Sequence, residues 1–170
     1  MEVEAVSTHM VQDHGKRKVH SRCQESPVMQ SQKIIPADRE VFKLSFQVSP
    51  GDIDDQHHVN NVIYLQWVQS ISFAHWNTAA SEELKSNCKW VVLRHEIDYH
   101  SPALPEDTID ACTWIEAPVG PRQQRNVLIQ RSHDGKVLAM AKTTWCLLDP
   151  RTNRPRKIGY EVSSVLGLKK

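Results

Sequence analysis

The sequence has almost no net charge, no apolar run of membrane-spanning length and no paired cysteines. A formal charge of +1 over 170 residues gives no bulk reason to expect nucleic acid, and no DNA-binding motif stands in the chain. The absence of a long apolar run excludes a membrane span, and the N-terminus lacks the apolar stretch of a secretory signal. Glu2 and Glu4 argue against an organelle transit peptide, so a cytoplasmic location is expected. Cys23, Cys88, Cys112 and Cys146 form no C-x-x-C pair and read as free thiols of a reducing compartment. With 39% hydrophobic and 24% charged residues, the composition is that of an ordinary globular domain.

What is present is concentrated. Residues 1–37 are polar, show no sustained period and read as a disordered tail, with a basic segment from His14 to His20. Residues 38–165 read as one domain. Phe42, Leu44, Phe46 and Val48 alternate with polar residues as in a half-buried strand, which Pro50-Gly51 ends. From about Asn61 to Trp76 apolar residues cover much of a helix circumference, which predicts a helix wrapped by other structure. A short polar helix follows near Ala79 to Ser86. Four alternating runs then read as strands: Trp90 to His100, Thr108 to Glu116, Asn126 to Arg131 and Lys136 to Leu148. Asp134-Gly135 between the last two is a hairpin signal. The segment after Asp149-Pro150 reads as irregular. The expected architecture is α+β: a curved antiparallel sheet of about five strands, the last four in a meander, around one long buried helix. Its open sheet edge and uncovered face predict a homodimer or homotetramer.

Between strand and helix lies Asp52, Asp54, Asp55, His57 and His58, followed by Asn60 and Asn61. Reactive side chains at the start of a helix suit a site, because the first N–H groups of a helix have no partner within it and attract developing negative charge. Asp54 can act as nucleophile or general base. His58 and Asn60 can orient it, or simply cap the helix. Tyr64, Trp67 and Trp76 suit the core or the wall of a pocket. Arg122 and Arg125 suit an anionic group or a solvated turn. The adjacent histidines lack the spacing of zinc ligands, so no metal is expected.

The run D-x-D-x-x-x-H-V-N-N-x-x-Y, with this order of elements, resembles the hot-dog fold thioesterases, which include 4-hydroxybenzoyl-CoA thioesterase. H-V-N-N-V-x-Y-x-x-W is also similar to the plant acyl-acyl-carrier-protein thioesterases. The resemblance covers about residues 42–148, and Glu96 to Ala103 looks like the family's second strand and its Pro-Ala turn. It implies hydrolysis of an acyl thioester of coenzyme A or acyl-carrier protein, with no separate cofactor. It places the catalytic aspartate on Asp54, with His58 and Asn60 beside it, and the carbonyl-binding N–H at or next to Asn61. By their own chemistry rather than by the resemblance, His57, Tyr64, Arg122 and Arg125 are candidate substrate contacts. Two positions depart from the family: His57 stands where glycine is usual, and Gln69 where many relatives carry glutamate. A hydratase or dehydratase of acyl thioesters, and a non-catalytic acyl-thioester-binding module, stay open as alternatives.

Overall fold

Alternation builds the first strand, β1 (Phe42–Gln47), with Phe42, Leu44 and Phe46 on the inner face. A computed structural model describes residues 34–168, so residues 1–33 of the tail, with its basic segment and Cys23, lie outside the described residues. After β1 the chain makes one 3₁₀ turn at Pro50–Asp52, which Asp52 closes by accepting the Ser49 N–H at 3.0 Å. The long helix α1 (Asn61–Ala79) follows, then α2 (Glu82–Ser86), capped by the Ser81 side chain.

The sheet has five antiparallel strands: β1, β2 (Lys89–Tyr99), β3 (Thr108–Ile115), β4 (Arg122–Arg131) and β5 (Val137–Leu148). Their order is β1-β3-β4-β5-β2. The β4–β5 hairpin turns at Asp134-Gly135 as expected, with Gly135 at φ +67° and Lys136 N–H bonded to Asp134. The four-strand meander is corrected. Only β3, β4 and β5 follow one another in space, while β2 sits at the far edge and pairs with β5, Lys89 opposite Leu148 and Tyr99 opposite Ala139. Alternation reports which face a residue buries, not which strand lies beside it. Within β2 it also fails locally: a bulge between Val92 and Arg94 leaves Leu93 half exposed. β4 begins four residues earlier than the alternation at Asn126 suggests, so Arg122 and Arg125 lie in a strand and not in a turn.

Helix α1 lies on one face of the sheet. Tyr64, Trp67, Val68 and Ile71 recur at helical spacing and are buried against Ile109, Ala111, Val127, Ile129, Ala139 and Ala141. Each such large side chain contributes about 1.5–3 kcal/mol of burial. The helix is not enclosed all round: Val62 and Phe73 are 61% and 51% exposed, the Phe73 ring meeting Trp145 of β5 edge-on at 6.0 Å. The sheet's other face carries Cys112, Trp114 and Leu128 under Ile34, Ile35 and Val41. The C-terminal segment is also more ordered than expected. Ile158, Val162 and Leu166 are buried at four-residue spacing, and a short helix α3 (Tyr160–Val165) forms there. Cys88, Cys112 and Cys146 are free thiols, the last two buried. Among the described residues no helix is long and apolar enough to cross a membrane.

Because β2 and β3 lie far apart in the sheet, residues 100–107 must travel between them, and they do so past the start of α1. Ala103 is fully buried there. Its N–H donates to the Tyr64 hydroxyl at 2.7 Å, and its carbonyl accepts the Val59 N–H at 3.0 Å.

Candidate active site

The loop entering α1 is folded on itself. Ile53 and Val59 pair across it, the Asp54 N–H donates to the His58 carbonyl at 2.8 Å, and the His57 N–H donates to the Asp54 carbonyl at 3.0 Å. This tight turn sends His57 into the left-handed region, at φ +60°. Glycine takes that conformation freely and histidine tolerates it, which accounts for the glycine expected at this position by resemblance. The His57 side chain is exposed.

The turn also holds Asp54. One carboxylate oxygen accepts the Gln56 N–H at 2.9 Å and lies 3.5 Å from the His58 N–H. The other has no partner among the described residues. Asn60 caps the helix, its side-chain oxygen accepting the Val62 N–H at 2.9 Å. That leaves the Asn61 N–H at the first helical position without an acceptor among the described residues, while the Asn61 carbonyl accepts the Tyr99 hydroxyl at 3.1 Å. Helix-start amides of this kind favour negative charge.

Asp54, His58, Asn60, Asn61 and Tyr64 line one open cleft of about 790 Å³, together with Gln56, Tyr99, His100, Ser101 and Pro102. Tyr64 is a strut: its hydroxyl receives the Ala103 amide, its ring meets Tyr99 edge-on at 5.4 Å, and burial raises its pKa above the usual phenol value. The opposite wall, from Tyr99 to Pro102, is not apparent from periodicity. Its one signal in the sequence is the Glu96 to Ala103 run noted above. Among the described residues no three His, Cys, Asp or Glu side chains gather as a metal site.

The arginines lie elsewhere. Arg122 is exposed at the start of β4. Arg125 is 5% exposed beneath the second half of α1, with Nη1 bonded to His75 Nδ1 at 3.0 Å and to Thr113 Oγ1 at 3.1 Å. Burial lowers its pKa to about 10 and, with the neighbouring guanidinium, lowers that of His75 to about 4. His75 was detectable in the sequence only as a polar residue on the stripe set by Tyr64, Val68 and Ile71.

The sequence profile of the acyl-ACP thioesterase N-terminal domain matches residues 39–166. The chain belongs to the acyl-ACP thioesterase family. A chloroplastic acyl-acyl-carrier-protein hydrolase of Cuphea viscosissima is 31% identical over 81 residues, 48% of this chain and 20% of that protein. The palmitoyl-acyl carrier protein thioesterase of Gossypium hirsutum is 24% identical over 131 residues, 72% of this chain and 32% of that one. The chain therefore spans well under half the length of these curated members. Among solved structures, the 12:0-ACP thioesterase of Umbellularia californica superposes with a TM-score of 0.66 at 18% identity, over 76% of this chain and 51% of that one. Membership and neighbours establish the hot-dog fold: the five-stranded sheet with α1 against it.

Proposed function

We propose that the chain hydrolyses an acyl thioester in the cleft at the start of α1. One observation carries this reading: Asp54, tethered by backbone amides through one oxygen and free at the other, shares a cleft with the uncommitted Asn61 N–H. The thioester carbonyl accepts from the Asn61 N–H. A donor so placed is worth about 10² to 10³ in rate. Asp54 then either attacks the carbonyl carbon or takes a proton from a water that attacks it. In both cases the C–S bond breaks and the sulfur leaves as thiol once protonated. In the first case, water then cleaves the resulting anhydride. His58, half-buried with no partner for its ring among the described residues, is placed to hold that water or the thioester. Asn60 acts as the cap that frees Asn61. The acyl carrier is coenzyme A or acyl-carrier protein, and the curated relatives' names favour the latter.

A second copy of the chain completes the assembly in this reading. The free edge of β2, with exposed Leu93 and Tyr99, and the uncovered Val62 and Phe73 of α1 are surfaces a partner would bury. The activity is tested by measuring thiol release from acyl-CoA and acyl-carrier-protein panels with wild type and Asp54→Asn. No release from either panel overturns the hydrolase, and full activity of the variant overturns the assignment of Asp54. Light scattering in solution reads the copy number, and a monomer overturns the assembly.

A further inference from the structure

From His100 to Pro102 the wall of the Asp54 cleft is a connection, outside any strand or helix. Its position depends on what holds it. Arg131, the last residue of β4, stands opposite Ile109, a core residue beneath α1, so its side chain leaves the helix face of the sheet. The guanidinium spreads over three acceptors. Nε donates to Asp107 Oδ2 at 3.0 Å, Nη2 to the Pro102 carbonyl at 3.1 Å and Nη1 to the Asp134 carboxylate at 3.3 Å. Asp107 Oδ2 also accepts the Leu104 N–H at 2.8 Å, and the Asp107 carbonyl accepts the Val48 N–H at 2.9 Å. The Arg131 and Asp107 side chains are 12% and 10% exposed. A pair so far from water offsets its desolvation only when further hydrogen bonds complete it, as Pro102 and Leu104 do here.

The backbone between these anchors is strained. Glu106 sits at φ +68°, a conformation that a residue other than glycine keeps where its surroundings hold it there. The anchored Pro102 carbonyl is one residue from Ala103, which bonds the Tyr64 hydroxyl and the Val59 N–H. Val59 in turn pairs with Ile53 at the base of the turn that carries Asp54. Arg131 does not line the cleft, yet short links join its guanidinium to both walls.

We propose that Arg131 is a positioning residue for thioester hydrolysis. It touches no substrate; by holding Pro102 and Asp107 it sets the wall at Pro102 against Asp54 and Asn61. The inference rests on the hydrolase reading of the cleft and deepens it. Arginine suits the task because one planar fork serves several acceptors at once, which a lysine ammonium does not.

Arg131→Lys keeps a cation beside Asp107 and gives up the fork, whereas Arg131→Met gives up both. Asp134→Asn loosens only the hairpin contact, its side-chain oxygen still able to accept the Lys136 N–H. Each full-length variant is assayed on the acyl-CoA and acyl-carrier-protein panels well below its own melting temperature. Arg131→Lys is expected to keep most of the stability that Arg131→Met loses, yet to lower kcat by about 10- to 100-fold with KM changed less than about threefold. A role confined to stability would bring kcat back together with the melting temperature. Asp134→Asn is expected to keep kcat within about twofold of wild type, since a half-exposed ion pair contributes little. Independently of turnover, the Ala103 and Val59 amides of Arg131→Lys are expected to exchange at least about tenfold faster, while those of Ala111 and Ile129 keep their rates. Asp107→Asn, which drops the charge at the other end of the clamp, is expected to give the same pattern at smaller size, and decides alone where neither Arg131 variant folds. Wild-type kcat in the lysine variant, unchanged exchange at Ala103 and Val59, or an equal fall in Asp134→Asn overturns the proposal. A wild-type chain that releases no thiol from either panel sinks the hydrolase reading instead, and the exchange rates still decide whether Arg131 holds the wall.

Discussion

At its start, α1 meets an open cleft of about 790 Å³ in which a carboxylate, an imidazole and a free amide face solvent. A few turns later the same helix covers a guanidinium, Arg125, and an imidazole, His75, bonded to each other at 3.0 Å and shut away from water. In the open cleft, position is set by backbone: the turn from Asp54 to His58 and the cap at Asn60 place each group. At the buried pair, burial sets the chemistry, taking His75 to about 4 and Arg125 to about 10. The buried Arg125–His75 pair thus lies at the end of the helix away from the family motif. Shifted acidity of that kind marks groups that have been dried, and a site built on placement does not need it.

The sharpest way to break this comparison is to remove chemistry at the open end alone. Asp54→Asn is expected to lower kcat by about 10³, within the range for a lost acid–base or nucleophilic group, with an almost unchanged melting temperature. A comparable fall in stability would mean that the carboxylate mainly holds the loop. Single turnover in ¹⁸O-labelled water tests the nucleophilic role: label in the Asp54 side chain marks an anhydride cleaved at the aspartyl carbon.

The closed end is expected to respond to pH. His75 is held neutral in the folded chain, with a pKa depressed from the usual 6.5 to about 4. The unfolded chain binds the proton first, so the stabilising contribution is complete above about pH 6.5 and is lost as pH falls towards 4. By pH 4.5 the loss amounts to about 2–3 kcal/mol. Urea unfolding at pH 7 and pH 4.5 measures it, and His75→Gln removes that part of the slope. An unchanged slope in the variant would place the acid sensitivity elsewhere.

Smaller effects test the turn. His57→Val puts a β-branched residue at φ +60° and is expected to cost about 1–2 kcal/mol and to reduce turnover by displacing Asp54. His57→Gly is expected to keep activity. Asn60→Ala is expected to cost about 1 kcal/mol through the lost cap. Calorimetry reads the stabilities. A His57→Val chain as stable as wild type would show that the turn has other ways to close.

Much of this was legible in the sequence, and the boundary follows physical lines. Strand and helix positions were readable because each obeys a local period, and Asp134-Gly135 announced its hairpin. The grouping of Asp54, His58, Asn60 and Asn61 was readable because they lie within one turn of chain. Partnerships across the sheet were not: nothing in the alternation of β2 says that β5 is its neighbour, and the Tyr99 to Pro102 wall depends on that. Arg125 resembled a turn arginine until the strand was seen to begin at Arg122. The helix at Tyr160 was missed because Ile158, Val162 and Leu166 are too few for a visible period. The left-handed His57 was legible only as a missing glycine, and its backbone angle supplies the reason.

The placement of β2 also sets an order of assembly. Its pairing partner, β5, is made last of the five strands, so β2 leaves the ribosome long before anything can close its ladder. The crossing at Ala103, clamped by Val59 and Tyr64, joins the segment between β2 and β3 to the start of α1, and we expect it to tighten late. The mouth of the cleft is therefore a late-closing seam, and in hydrogen exchange the Ala103 and Val59 amides should open before those of β3 and β4.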